Sequence, residues 1–447
     1  MAHAFSSRGR LLAFLAASAL AVAAGLIGSV SGASAAREHS VRHNQHGHHH
    51  HGGGGLSITS GSWGTAHGTN VDLYTLKNSN GMIVKISNYG GVVQSIWVPD
   101  RTGKLVNVAL GFPKLSDYVN DFENQPWPAA GGSGDTYFGA IIGRYANRIA
   151  NASFTLNGTL YGLGGGANSC GPTTHPNNGP NLLHGGPLSY NTQVWDATPI
   201  TGAHSVALKL TYTDPDCYNG FPGTVQNTVT YSLNNDNALG IDYNSTTNKP
   251  TVINLTNHTY FNLAGEGSGT VEDQYLQISA DTFTPVDANL IPTGVFASVA
   301  GTPFDFRKPK PIGRDIRDAT APDGEQLTIA HGYDHNWVLN GSGDRLVSTA
   351  FDKDNGITLS TYTTEPGVQF YSSNFLVGDL IGTSGNTYRQ TQGFTLETQH
   401  YPDSPNHQGD PMWPSVVYDS THPYTSTTTY QFGVTGKKHA RGHHKHG

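Results

Sequence analysis

The sequence predicts an all-β protein, one large antiparallel β-sandwich, on three observations. Its 56 glycines and 24 prolines punctuate short runs of Val, Ile, Thr and Tyr, residues that suit a pleated, half-buried surface. Only 13% of the 447 residues are charged while 36% are hydrophobic, so the chain can fill a large core and does not have the composition of a disordered one. Helix signals are sparse: residues 115–119 and 312–316 read as single turns at most.

Taken in order, the chain opens with Arg8 and Arg10, an uncharged apolar run over 11–30, and Ala33-Ser34-Ala35, the small-x-small pattern that signal peptidase cuts after. Residues 1–36 are therefore expected to be a signal peptide for a secreted protein that begins near Ala36 or Arg37, with no stable membrane insertion after cleavage. An uncleaved anchor is the alternative, because the run is long enough to span a bilayer. Residues 37–55, rich in His and Gly, and the basic His-rich tail 436–447 read as solvated segments. They are expected to capture Zn²⁺ or Ni²⁺ adventitiously, without the fixed spacing of a built metal site. Export lets Cys170 and Cys217, the two cysteines, pair, but sequence leaves a disulfide and free thiols both open.

The body, 56–435, reads as strand after strand. Runs at 71–76, 82–87 and 92–98, separated by Asn-Ser-Asn-Gly and Asn-Tyr-Gly-Gly turns, predict an antiparallel meander. Further strands are predicted at 205–213, 224–233, 238–246, 251–263, 275–280, 357–363, 369–372 and 430–434. No linker or fixed-period repeat divides this stretch, which predicts a single domain, although two tightly joined halves are an alternative at this length. The formal charge of −7 offers no basic face for nucleic acid.

Several short strings carry candidate chemistry. In Asn254-Leu-Thr-Asn-His258-Thr-Tyr260-Phe-Asn-Leu263, the imidazole and the phenol are two residues apart, so an extended strand projects both to one face. Gly143-Arg144-Tyr145-Ala146-Asn147-Arg148-Ile149 places two arginines among apolar residues, where each holds either a carboxylate of the fold or an oxygen of a ligand. His184 precedes Gly185 and Gly186, where the backbone can approach a ligand closely; a loop histidine bonded to the backbone fits equally. Asp334 lies near Trp337, a pairing that suits sugar hydroxyls and ring faces and also a plain turn. Glu397 and Gln399 share one face of an alternating run, and an acid in so charge-poor a stretch is expensive to bury unless it works as a tuned base.

Together these strings resemble the aldose 1-epimerases, also called galactose mutarotases. The resemblance rests on Gly-Arg-x-Ala-Asn-Arg-Ile at 143–149, Asn-x-Leu-His-Gly-Gly at 181–186 and Asn-Leu-Thr-Asn-His-x-Tyr-Phe-Asn-Leu at 254–263. It continues in order with Pro-Val-Asp at Pro285, Leu-Ile-Pro-Thr-Gly at Leu290, Gly-x-Asp-His-Asn at Gly332, Pro-Gly-Val-Gln-Phe-Tyr at Pro366 and Gly-Phe-x-Leu-Glu-Thr-Gln at Gly393. What it implies is the large antiparallel supersandwich of that family and interconversion of the α and β anomers of a free aldose such as galactose or glucose. It implies Glu397 as general base, His258 as general acid and His184 as their helper at the ring oxygen. Asn147, Arg148, His184, His258, Tyr260, Asp334 and Gln369 would hold the sugar. No metal, nucleotide or redox cofactor is implied. A non-catalytic sugar-binding sandwich is the alternative; it would keep Arg148 and Asp334 but would not need both His258 and Glu397. Residues 125–136 and 164–180 depart from the family's pattern and are expected to rim the cleft, which leaves the preferred aldose open.

Overall fold

The computed structural model describes residues 55–124, 133–164, 176–187 and 189–436. The expected signal peptide, almost all of the His-rich segments and Cys170 lie outside the described residues. Cys217 is not a free thiol, and its expected partner is among the residues not described.

The predicted antiparallel sheets are present, because apolar residues recur at every second position. Val225–Asn234, Ile357–Thr363 and Tyr424–Val434 each alternate buried with half-buried or exposed side chains, so one face of each goes to the core. Among the described residues, nine strands form the largest sheet, in the order Asp196–Thr201, Ser205–Asp214, Val225–Asn234, Ala238–Thr247, Tyr424–Val434, Ile357–Thr363, Arg345–Phe351, Tyr275–Ile278 and Lys310–Pro311. A six-stranded sheet runs Tyr260–Phe261, Phe394–Gln399, Gly367–Tyr371, Asp334–Leu339, Ala280–Thr284 and Ala297–Ser298. Their inner faces share one core: Phe261 meets Tyr430 edge-on with ring centroids 5.1 Å apart, and the Tyr430 hydroxyl donates to the carbonyl of Leu396. The opening meander, Ser57–Ala66 to Leu105–Asn107, adds a five-stranded sheet whose Val84, Ile86 and Ile96 join the same cluster. Burial of each such side chain contributes about 1.5–3 kcal/mol before chain entropy is counted.

Three expectations change. Residues 115–119 are not a lone turn but begin the helix Leu115–Asn124. Leu115, Tyr118, Val119 and Phe122 recur at the i, i+3, i+4, i+7 spacing of an amphipathic helix, with Leu115, Tyr118 and Phe122 buried. The helix Glu325–Ala330, too short at six residues to show a period, and the strands Ser57–Ala66 and Asp196–Thr201, whose side chains are mostly exposed, were not predicted. The predicted strand at 251–263 is broken into Thr251–Val252, Thr256–Asn257 and Tyr260–Phe261, each paired with a different part of the chain.

Candidate active site

That broken segment is what joins the site. Thr256–Asn257 pairs with Ile141–Ile142, and the amide of Ala146 donates to the carbonyl of Asn254 at 2.8 Å, so the arginine string runs directly alongside the histidine string. Arg148–Ile149 in turn pairs with Leu182–Leu183, and the amide of His184 donates to the carbonyl of Asn147. Gly185 passes so close to Gly143 that a Cβ there would sit 2.1 Å from the Gly143 carbonyl oxygen, which is why a glycine follows His184. Three strings far apart in sequence are thereby fixed to one another through backbone bonds.

They enclose a cleft with about 510 Å³ of open space, whose walls include Asn147, Arg148, His184, His258, Tyr260, Asp334 and Glu397. Glu397 comes from Phe394–Gln399, a strand buried on both faces; Thr395, two residues earlier on the same face, donates its hydroxyl to Oε1 of Glu397 at 2.8 Å. His258 lies opposite, its Nε2 3.4 Å from that same Oε1. Oε2 of Glu397 is buried with no hydrogen-bond partner in the protein. His184 stands 5.0 Å from His258, ring centroid to ring centroid, and its Nδ1 accepts the amide hydrogen of Asn147. In the neutral ring this leaves the proton on Nε2, so His184 is a hydrogen-bond donor there. Arg148 donates from Nε to Asn178, and its Nη2 lies 3.6 Å from Oδ2 of Asp334.

Two sequence-selected residues take less direct positions. Gln369 is not on the cleft wall; it donates from Nε2 to Oδ1 of Asp334 at 2.7 Å and so orients that carboxylate. Tyr260 is on the wall, but its hydroxyl donates to the carbonyl of Thr136, which leaves the ring face as its offering. His258 and Tyr260 still face one cleft although the strand between them is interrupted, with ring centroids 5.1 Å apart. The arginine string divides: Arg148 faces the cleft, whereas Arg144 is buried against Asp214 at 2.7 Å. Sequence reasoning missed Tyr137, whose ring packs 4.6 Å from that of His184, and Tyr371, which lay inside a string already noted. From the stretch 125–136 it gave no individual residue, yet Asp135 and Thr136 are on the wall.

Burial dominates the electrostatics. It pushes His258 down to about 3 and Glu397 up to about 8, with the Thr395 hydrogen bond opposing the rise in Glu397, and it also holds His184 well below the usual imidazole range. Loss of hydration thus outweighs the attraction by which each member of the pair would keep the other charged. The pair therefore holds one proton between two macroscopic pKa values. Passing that proton across the 3.4 Å gap converts acid and imidazole into carboxylate and imidazolium without changing the proton count. Below about 3 the pair gains a second proton and above about 8 it has none. The kcat/KM profile for the free enzyme should thus stay level from roughly pH 4 to 7 and fall about tenfold per unit above about 8. A fall centred near pH 6.5, as for an ordinary solvated histidine, would show that burial does not set the pair's titration.

His184, His258 and Glu397 also offer ligand atoms that all lie within 4.8 Å of one another, a geometry able to hold a divalent metal.

The profile of the family described as aldose 1-epimerase matches residues 72–431. The chain belongs to the aldose 1-epimerase family. It is 39% identical to the galactose mutarotase of Bos taurus over 357 residues, which cover 80% of this chain and 92% of that one. To the aldose 1-epimerase of Escherichia coli K12 it is 36% identical over 364 residues, 80% of this chain and 94% of the relative. Among solved structures, that of galactose 1-epimerase from Lactobacillus acidophilus NCFM superposes with a TM-score of 0.69 at 28% identity, covering 85% of this chain and 99% of that one. As an aldose 1-epimerase family member the chain is an isomerase, and its antiparallel sandwich is the architecture of its relatives.

Proposed function

We propose that the protein interconverts the α and β anomers of free aldoses such as galactose and glucose by acid–base opening and reclosure of the ring. The observation that carries this reading is the buried His258–Glu397 pair, Nε2 to Oε1 at 3.4 Å on the wall of a cleft. Opening a hemiacetal needs a proton taken from the anomeric hydroxyl and another given to the ring oxygen. Glu397 as carboxylate does the first and His258 as imidazolium the second, while the Nε2–H of His184 steadies the oxygen on which charge develops. Rotation about the bond between C1 and C2 and closure on the other carbonyl face give the other anomer, with the two proton roles exchanged. Arg148 and Asp334, braced by Gln369, bind hydroxyls of the sugar, and Asn147 and the Tyr260 ring shape the wall. The step as written requires no metal or redox group, although His184, His258 and Glu397 have the spacing to hold a metal ion.

The N-terminal apolar run supports export, so the proposed setting is extracellular, where the enzyme would equilibrate anomers as polysaccharides are degraded. The test is polarimetry of freshly dissolved α-D-galactose and α-D-glucose, using culture medium, cytoplasmic fraction and purified protein with and without EDTA. Acceleration over the spontaneous rate is expected from the medium and the purified protein, with no loss to the chelator. A rate lost to EDTA and restored by metal would overturn the metal-free step, and activity confined to the cytoplasmic fraction would overturn export. A folded protein that binds sugar without accelerating mutarotation would favour the binding-module reading.

A further inference from the structure

Burial holds His258 down to about 3, and one wall of that enclosure is the ring of Tyr137. The ring lies 4.6 Å from that of His184 and 5.7 Å from that of His258, centroid to centroid. Tyr137 holds its backbone at φ 56°, a left-handed conformation that a residue with a side chain keeps only where its surroundings impose it. Asn177 donates from Nδ2 to the Tyr137 hydroxyl at 3.3 Å and fixes the far end of the ring. What fixes the near end lies outside the cleft.

Two adjacent residues of the helix Leu115–Asn124 engage two adjacent residues of the segment that carries this ring. Phe122 stacks against Tyr137, with centroids 6.4 Å apart and planes at 26°. Asp121, 1% exposed, accepts at Oδ2 both hydrogens that Thr136 can give, from the amide at 3.1 Å and from the hydroxyl at 2.6 Å. The Thr136 carbonyl takes the Tyr260 hydroxyl at 3.1 Å, and two residues past Tyr137 the amide of Gly139 donates to the carbonyl of His258 at 3.0 Å. A shift at Thr136 therefore reaches His258 through both the Tyr137 ring and the backbone. Burial pushes the Asp121 carboxyl up to about 7 against the pull of the Thr136 bonds, so near neutrality the acid and the carboxylate are both present. In either form Oδ2 accepts from Thr136, the acid carrying its proton on Oδ1. The contact needs an oxygen there and not a charge. We propose that Asp121, which is not on the cleft wall, is a positioning residue for the epimerase reaction: through Thr136 it seats Tyr137 against His184 and His258 and completes their shielding from water. The inference rests on the epimerase reading and adds a residue outside the cleft on which that reaction depends.

The experiment compares Asp121→Ala, which removes the oxygen, with Asp121→Asn, which keeps an oxygen for Thr136 and removes only the charge that acts among the neighbouring carboxyls Asp135 and Asp379. Thr136→Val deletes the hydroxyl bond alone and serves if the alanine variant does not fold. Polarimetry of galactose gives kcat and KM, and carbethoxylation by diethyl pyrocarbonate at fixed pH, mapped by mass spectrometry, gives the accessibility of each histidine. Asp121→Ala is expected to lower kcat about tenfold with little change in KM, since a displacement of about 1 Å far from the chemistry can cost that much. His184 and His258 should become about tenfold more reactive through local opening, while His335, fully buried against Phe283 and Phe304, should not change. Thr136→Val should move the same readings less, and Asp121→Asn should match wild type. Unchanged kcat and reactivity in Asp121→Ala, or in Thr136→Val in its place, would overturn the proposal. So would equal losses in Asp121→Asn and Asp121→Ala, which would make charge the cause, and so would a parallel rise at His335, which would mean general loosening. If wild type accelerates no aldose, the epimerase reading fails, and the reactivity of the two cleft histidines alone still decides whether Asp121 seats Tyr137.

Discussion

Glu397→Gln is expected to lower kcat for galactose and glucose mutarotation by about 10³-fold while the protein keeps its fold. The amide matches the carboxyl in shape and still offers an oxygen to the Thr395 hydroxyl, 2.8 Å from Oε1 in the wild type. Burial already disfavours charge at this position, so a neutral replacement is not a structural burden. What disappears is the group that takes the anomeric proton, and with it one end of the proton exchange with His258. His258→Asn removes the other end and should lower kcat strongly with a smaller effect on sugar affinity. Polarimetry, with circular dichroism to confirm folding, checks both; near-wild-type turnover by Glu397→Gln would sink the base assignment.

The second large effect falls on stability. Arg144 is 1% exposed and Asp214 3%, and their 2.7 Å contact is supplemented by the Tyr190 hydroxyl on Asp214 and by the carbonyls of Pro222 and Pro215 on Arg144. Arg144→Met leaves the carboxylate buried without its cation and is expected to cost about 3–5 kcal/mol, a large share of the roughly 5–15 kcal/mol typical of folded proteins. Arg144→Met combined with Asp214→Leu removes both charges and should recover most of that loss. Denaturant midpoints at constant slope measure it. A single variant within about 1 kcal/mol of wild type would mean that Asp214 finds another partner or takes up a proton at little cost.

These two effects show how far the sequence could be read. The string at 143–149 announced two arginines without saying which served the fold and which the cleft. Arg144 is settled by Asp214, seventy positions away at the end of Ser205–Asp214, and no local pattern carries that pairing. Glu397 was legible because strand alternation put it, with Thr395, on one face of a run that had little other charge. Its protonation was not, because that depends on how completely the surrounding walls exclude water. Gln369 could be selected by type and position, yet its place behind Asp334 follows from the register that sets it opposite Glu397 and Asn336. Most of the long alternating strands were visible, but Asp334–Leu339 and Arg345–Phe351, inside the six- and nine-stranded sheets, were not predicted. The edge strands Ser57–Ala66 and Asp196–Thr201 were not, since their faces are largely wet.

The strand order has a consequence for biosynthesis. Tyr424–Val434, late in the chain, lies in the middle of the nine-stranded sheet, hydrogen-bonded to Ala238–Thr247 on one side and Ile357–Thr363 on the other. Until it emerges from the ribosome, the two halves of that sheet have no strand to join them, and each presents an unpaired, partly apolar edge. Closure is thus a late, long-range event, of the kind that slows folding. The largest sheet thus stays in two parts until Tyr424–Val434, the last strand among the described residues, has been made.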